Sequence, residues 1–168
     1  MYFARLIASI LVVGCLGVVV MARPAQLSAR DDALALPRFV SLKSSEVNLR
    51  TGPGTRYPID WIYHRRALPV EITAEFDNWR RVRDSDGVVG WIHWSLLSSR
   101  RTAMVAEAER IFRRAPKSGA PAAFRAAKGV LVKLISCNGA WCQIVHGKIK
   151  AWTRQDGLWG VYPGERID

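Results

Sequence analysis

The strongest constraint on the fold is an internal repeat, in which short apolar runs separated by turn residues occur twice in the same order. The stretch "VNLRTGPGT" (47–55) aligns with "RIFRRAPKS" (110–118), and "LPVEITAEFDNWRRV" (68–82) aligns with "VLVKLISCNGAWCQI" (130–144). The stretch "GWI" (90–92) then aligns with "AWT" (151–153). Each copy spans about 55 residues, a size at which an isolated domain is marginally stable. We therefore expect the two copies to pack together or to gain a covalent link.

The pattern inside each copy is that of short antiparallel strands. Leu68, Val70 and Ile72 alternate with other residues, which is the period of a half-buried strand, and turns rich in Asp, Asn and Gly follow. In both copies an apolar residue, Val82 or Ile144, lies three positions after a tryptophan, and a shared β-bulge would explain this spacing. The sequence predicts an all-β chain of two small antiparallel barrels.

The "GPG" stretch (52–54) invites a second interpretation, a phosphate-binding loop. Such a loop is followed by a helix and usually ends with a lysine and a hydroxyl residue. Here Pro58 opposes a helix, and the sequence "WIY" (61–63) favours a strand. The stretch is therefore predicted to be a loop between two strands.

The N-terminus has the layout of an export signal, with Arg5 followed by an uncharged run over residues 6–22 and then small residues. We expect cleavage near Ala29. An uncleaved membrane anchor is the first alternative, because the 17-residue run lies at the short end of the about 17 to 25 residues that a spanning helix needs. Lipidation at Cys15, suggested by "VVGC", ranks behind both because apolar sequence continues beyond it. All three place the folded part outside the cytoplasm, in the periplasm or cell envelope.

Positive charge is concentrated in the second copy. The formal net charge of the chain is +11. Residues 38–98 hold nine Lys and Arg against seven Asp and Glu, a net charge of +2, whereas residues 109–168 hold eleven against four, or +7. This surplus favours an anionic partner. Export argues against nucleic acid, so we expect an envelope polymer or an envelope protein.

The first copy resembles a bacterial SH3-like domain. The motifs that carry the resemblance are "VNLRTGPGTRYPI", "LPVEI", "NWRRVRDSDGVVGWIH" and "SLL", which together span about residues 47–97. Residues 110–162 resemble a degenerate second copy without the "GPG" glycines, with Ala151 in place of the glycine of "GW", and with an Ala- and Pro-rich insertion near residues 119–123. The resemblance implies barrels of five or six strands with no catalysis and no cofactor of their own. It also implies binding of peptidoglycan, its stem peptides or partner proteins.

These observations divide the chain into a signal peptide (or anchor) over residues 1–29, a linker over 30–37, a first domain over 38–98, a second linker over 99–108 and a degenerate second domain over 109–168.

Two sets of aromatic residues are expected to differ in role. Those in or beside the opening loop and after the last strand of the first copy are candidates for a ligand groove: Tyr57, Trp61, Tyr63 and Trp94. Those at repeat-matched strand positions are expected to close the two cores: Trp79, Trp91, Trp141 and Trp152.

The remaining reactive residues give little support to an enzyme. Cys137 and Cys142 flank a hairpin turn, and outside the cytoplasm they are most simply a disulfide. A metal site would add His146, but no fourth ligand is evident. A cysteine hydrolase would need a nucleophile at a helix start, which the hairpin does not offer. We therefore expect a non-catalytic binding module with no metal, and keep a membrane-anchored interaction or sensor domain as the alternative and a hydrolase as the last.

Overall fold

The computed structural model describes residues 35–168, so the expected signal peptide, Cys15 and most of the first linker lie outside the described residues. The described chain is built from fifteen β-strands and one short 3₁₀ helix. The first barrel contains β1 (Arg38–Leu42), β2 (Val47–Arg50), β3 (Ile59–Tyr63), β4 (Pro69–Phe76), β5 (Trp79–Arg83), β6 (Val89–His93), the 3₁₀ helix η1 (Trp94–Leu96) and β7 (Leu97–Ser98). The second contains β8 (Thr102–Val105), β9 (Arg110–Arg113), β10 (Ala122–Ala126), β11 (Leu131–Asn138), β12 (Trp141–His146), β13 (Ile149–Arg154), β14 (Leu158–Trp159) and β15 (Arg166–Ile167).

The two barrels share one topology. The first sheet has the strand order β3-β2-β6-β5-β4-β1-β7, and the second has the order β10-β9-β13-β12-β11-β8-β14, with β15 paired to β11. Every pairing is antiparallel, and β1 and β8 hold equivalent places. The prediction of an all-β chain with two tandem antiparallel barrels is confirmed.

The predicted bulge occurs in both copies, but on the other strand of the hairpin. In the first barrel the register shifts between the pairs Ile72–Val82 and Ala74–Arg81, which leaves an extra residue in β4. The second barrel shifts at the matching place in β11. The three-residue spacing from Trp79 to Val82 has a simpler cause, since an odd spacing along a strand places two side chains on opposite faces.

The tryptophans expected to close the cores are therefore not core residues. Trp79, Trp91, Trp141 and Trp152 are each half-buried on the outer faces of the barrels. The buried clusters are mainly aliphatic. The first comprises Val40, Leu42, Val47, Leu49, Tyr63, Val70, Ile72, Val82 and Ile92; the second includes Val105, Phe112, Val132, Leu134, Ile144 and Leu158.

Part of the expected second linker is a strand. All four residues of β8, Thr102–Val105, are buried, and β8 pairs with β11 and β14 as the first strand of the second barrel. One face of β8 meets its own core while the other is covered by neighbouring chain, so the apolar alternation that reveals a half-buried strand is missing.

The two barrels pack against each other through a mixed aromatic and polar interface. The ring of Phe39 in β1 lies 5.0 Å from that of Trp159 and 4.7 Å from that of Tyr162. Trp159 Nε1 donates to the Pro69 carbonyl at 2.9 Å. A Cβ on Gly160, whose φ is +112°, would meet the Thr102 carbonyl, so the residue beside Trp159 must be glycine for the strands to approach this closely.

The predicted disulfide is present. Cys137 and Cys142 are directly paired in the β11–β12 hairpin, and their Cα atoms are 4.1 Å apart. The Asn138 side-chain oxygen accepts the backbone N–H groups of Ala140 and Trp141, which forms the turn between them. The bond fixes the hairpin that carries Trp141.

Candidate binding groove

Arg50 organises the opening loop of the first barrel. Its guanidinium donates to the carbonyl of Tyr57 at 2.7 Å and to that of Thr55 at 3.2 Å, which holds the loop against the end of β2. The Tyr57 ring lies on Gly52, where an added Cβ would be 2.5 Å from a ring carbon. The glycine is thus required by this close approach, and Gly52 is not among the glycines with positive φ.

A groove of about 180 Å³ lies between this loop and the outer face of β5 and β6. It is lined by Asn48, Arg50, Thr55, Trp79, His93 and Leu96. Trp79 and His93 are directly paired across the two strands, and their rings meet edge to face at 5.4 Å. The arrangement offers one flat aromatic wall opposite a hydrogen-bonding wall, which suits an extended peptide or a sugar chain.

Trp94 stands beside the groove at the start of η1. Its side chain is 53% exposed, and its backbone N–H donates to the Asn78 carbonyl at 2.9 Å. His93 caps η1 through its Nδ1, which lies 2.8 Å from Ser95 Oγ, and the His93 and Trp94 rings are 6.2 Å apart. The indole is therefore presented to solvent on a fixed backbone next to the groove.

The second barrel has a groove in the equivalent position, with a volume of about 310 Å³. Five of its eleven lining residues align with those of the first groove: Ile111 with Asn48, Arg113 with Arg50, Ser118 with Thr55, Trp141 with Trp79 and Arg154 with His93. The second groove is also lined by three carboxylates that the first groove lacks: Glu107, Glu109 and Asp156. Arg113 has the same role as Arg50 and holds the following loop, since its guanidinium donates to the Ala120 carbonyl at 2.7 Å. The missing glycines of the second copy have not removed the groove.

Residues 43–99 and 106–160 both match the family model for the bacterial SH3 domain. The chain belongs to the bacterial SH3 domain family. Each match begins directly after the first strand of its barrel, so β1 and β8 complete the two SH3 domains. No curated protein matches the sequence.

Three solved structures share a limited likeness with the tandem SH3 domains. NlpC1 and NlpC2 from Trichomonas vaginalis each show 13% identity and a TM-score of 0.34; both alignments cover 73% of this chain, and 45% and 48% of the respective neighbours. An NlpC/P60 family protein from Bacillus cereus shows 12% identity and a TM-score of 0.33, covering 72% of this chain and 55% of that one. This chain thus spans about half the length of these structures. The likeness supports no inference about activity.

The four aromatic residues expected to form a groove do not meet in one place. Trp94 borders the first SH3 groove, whereas Tyr57 is tied to it through its backbone carbonyl. Trp61 is 54% exposed on the edge strand β3 and lines a different cleft of about 490 Å³, together with Trp159. Tyr63 is 6% exposed and lines the same cleft as Trp61, with its ring in the first core.

The Tyr63 hydroxyl donates to Asp84 Oδ2 at 2.9 Å. Burial, reinforced by this bond and the charge of Asp84, raises the pKa of the Tyr63 phenol well above its usual range. The other carboxylate oxygen of Asp84 accepts the backbone N–H groups of Asp86 and Val88, which shapes the β5–β6 turn. Tyr63 is thus a structural residue of the first SH3 domain.

Sequence reasoning missed Trp79 as a groove residue. Its odd spacing from the core residue Val82 was the available indication, because two strand residues three positions apart face opposite sides. His93 follows from the same argument, since it is paired with Trp79 and alternates with the buried Ile92.

The hydrolase alternative rests on Cys142 and His146, and both residues have structural contacts in the second SH3 domain. Cys142 is fully buried and bonded to Cys137, so neither sulfur is a free thiolate. His146 stacks on Phe124 at 5.6 Å and has the Leu131 carbonyl at 3.2 Å from its Nδ1. Within residues 35–168, no group of three or more His, Cys, Asp and Glu side chains is arranged to hold a metal. No helix in this part of the chain is long and apolar enough to cross a membrane.

Proposed function

We propose that this protein is a non-catalytic binding module of the bacterial cell envelope, which holds peptidoglycan or its stem peptides in the SH3 groove beside Trp94. The observation that carries the proposal is the recurrence of one groove design in both domains, each with an arginine that fixes a loop and a tryptophan that forms a wall. Alternating sugars and short peptides present flat rings and amides at intervals. These groups match an exposed indole and an arginine-supported loop.

Charge would add attraction over a longer range. The second SH3 domain has a net charge of +7 over residues 109–168. We expect this domain to raise the local concentration of an acidic envelope polymer, while the first domain supplies the shaped site.

Export is part of the proposal. The Cys137–Cys142 bond is compatible with an oxidising compartment, since disulfides persist mainly outside the cytoplasm. The N-terminal apolar run supplies the route, as a signal peptide or as a retained anchor.

A second candidate function is a membrane-anchored domain that binds an envelope protein. It is favoured by β3, an edge strand of the first sheet with three exposed apolar side chains: Ile59, Trp61 and Ile62. An exposed edge strand of this kind can pair with an extended segment of another protein.

The test is co-sedimentation of the protein, recovered from cells that express the full chain, with purified peptidoglycan sacculi. Retention at several hundred millimolar salt would indicate a shaped site, because exposed charges are screened within about 10 Å at a salt concentration of 0.1 M. Trp94→Ala should reduce this retention at least about fivefold, as expected for loss of one stacked aromatic contact. Trp61→Ala is a matched control, since Trp61 and Trp94 are 54% and 53% exposed.

The alternative outcomes separate the candidates. Equal binding by wild type and Trp94→Ala, with both proteins folded, would exclude this groove. A loss of sacculus binding confined to Trp61→Ala would place the sacculus site at β3 and exclude the groove beside Trp94. No binding to sacculi at low or at high salt would favour a protein partner on β3.

A further inference from the structure

A basic pocket lies at the junction of the two SH3 domains, away from both grooves. It has a volume of about 340 Å³. Its lining includes four cationic residues and three hydroxyl residues: Lys43, Arg66, Arg100, Lys133, Ser41, Ser98 and Thr102. The cations come from both domains and from the connection between them, so the pocket exists only because the domains are packed together.

The four cations have no anionic partner in the described chain. No acidic residue lines the pocket, and none of the four is in an ion pair within residues 35–168. All four cationic residues are exposed, so water moderates their mutual repulsion, but like charges around one pocket still repel each other. A bound anion would relieve this repulsion.

The walls of the pocket are held by hydrogen bonds that cross the junction. Thr102 Oγ1 donates to the Ala67 carbonyl at 2.9 Å, and Ser41 Oγ donates to the Arg100 carbonyl at 2.8 Å. Both hydroxyl residues are buried. The backbone that carries the cations is therefore held in place by contacts within the protein itself.

Ala67 adds an independent observation. It lines the pocket with a φ of +63°, a left-handed conformation that is unfavourable for a non-glycine residue. Its N–H donates to the Leu42 carbonyl at 2.9 Å, which holds the chain in this conformation. The turn brings Arg66 to the pocket beside Lys43, and such strained residues gather at ligand sites.

We infer that this junction pocket binds a phosphomonoester or a pyrophosphate group with two or more negative charges. Four cations exceed what a single carboxylate would need, whereas a pyrophosphate or a phosphomonoester offers several acceptor oxygens to arginine and lysine donors. The ligand could be a membrane lipid headgroup or a soluble phosphate compound, and the chemistry at the pocket is the same. This site does not depend on the proposed SH3 groove.

The probe for the test is inorganic pyrophosphate, titrated calorimetrically into the full chain in nonionic detergent at low salt. The variant Arg66→Gln/Lys133→Gln removes two of the four charges, and Lys148→Gln/Lys150→Gln is the control with the same net charge in an exposed hairpin outside the pocket. We expect the pocket variant to bind pyrophosphate at least about tenfold more weakly, and the control to change less than about twofold. Absence of binding by wild type, or equal losses in both variants, would overturn the proposal.

A second arm distinguishes the source of the phosphate group. Vesicles containing phosphatidic acid, a lipid phosphomonoester, are compared with vesicles of phosphatidylcholine; if the ligand is a lipid headgroup, the pocket variant should bind the phosphatidic acid vesicles more weakly than wild type, and pyrophosphate should displace wild type from them. If only pyrophosphate binding is lost, the ligand is soluble. Retention on sacculi at high salt should persist in the pocket variant, and pyrophosphate binding should persist in Trp94→Ala, so that failure of one proposal leaves the other testable.

Discussion

Glu71 connects the two SH3 domains through a single carboxylate. Its Oε2 accepts from Arg83 Nε at 2.9 Å and Nη2 at 2.6 Å, and its Oε1 accepts from the Tyr162 hydroxyl at 2.9 Å. The Glu71 side chain is 5% exposed, whereas that of Arg83 is 48% exposed. Arg83 also lies 5.6 Å from the Trp159 ring centroid, so removal of the carboxylate would disturb both the ion pair and the domain interface.

We predict that Glu71→Ala lowers the free energy of unfolding by about 2 kcal/mol, below the about 3–5 kcal/mol of a fully buried pair because Arg83 is half in water. The measurement is urea denaturation at pH 7. Glu109→Ala is the control, since Glu109 pairs with Arg125 while both side chains are more than half exposed, and the substitution should cost no more than about 1 kcal/mol. Equal losses would show that the domain-joining hydrogen bonds contribute nothing beyond a surface pair.

Tyr63 and Tyr162 are expected to make the folded protein less stable at alkaline pH. Burial, followed by a hydrogen bond to Asp84 or Glu71, raises the pKa of Tyr63 and of Tyr162 above its usual range. Above pH about 10 the unfolded chain therefore ionises these tyrosines while the folded chain keeps them protonated, and stability falls as the pH rises. We expect Tyr63→Phe to flatten this fall in urea titrations between pH 8 and about 11. Parallel curves for wild type and variant would contradict the assignment.

The opening loop forms one wall of the first SH3 groove, and Arg50 holds this loop in place. Arg50→Lys keeps the charge but cannot reach both the Thr55 and Tyr57 carbonyls with one planar group. We expect faster amide exchange over residues 51–58, weaker retention on sacculi by about threefold to tenfold, and little change in global stability. Arg56→Lys, a substitution of the exposed neighbour, is the control. Unchanged exchange in Arg50→Lys would show that Tyr57 and Gly52 hold the loop without the guanidinium.

Strands in which apolar residues alternate with charged or polar ones could be predicted from their sequence, whereas a strand without this alternation could not. The alternation in "LPVEI" and the Asx turns located β4 and its hairpin, and the repeat carried this prediction to β11. β8 was missed because its four residues are all buried and give no alternation.

The same limit applies to the candidate site. Trp94 could be selected because it follows the last long strand, but assigning Trp79 to the groove required knowledge of which face of β5 points outward. The basic pocket could not be predicted from the sequence, since Arg66 and Lys133 come together only when the two domains pack against each other.

The interface between the two SH3 domains should make these two marginally stable domains unfold together. Phe39 is 6% exposed and lies against Trp159 and Tyr162 of the other domain, with the Arg101 guanidinium 6.0 Å from its ring centroid. Each domain has its own small hydrophobic core, so each is expected to be only marginally stable by itself. We expect the wild type to unfold in a single calorimetric transition whose van't Hoff and calorimetric enthalpies agree.

Phe39→Ala removes the ring that both domains share, and should cost about 3 kcal/mol or more while loosening the coupling between them. The expected result is a van't Hoff enthalpy clearly below the calorimetric one, or two resolved transitions. Phe112→Ala is the matched control, because this ring is fully buried in the second core and stacks on Phe124 at 4.5 Å, away from the interface. If Phe112→Ala lowers the melting temperature but keeps the enthalpies closer to agreement, the effect of Phe39→Ala is uncoupling and not destabilisation alone. A single, fully cooperative transition in folded Phe39→Ala would mean that the polar contacts across the junction suffice, and that Phe39 serves its own domain.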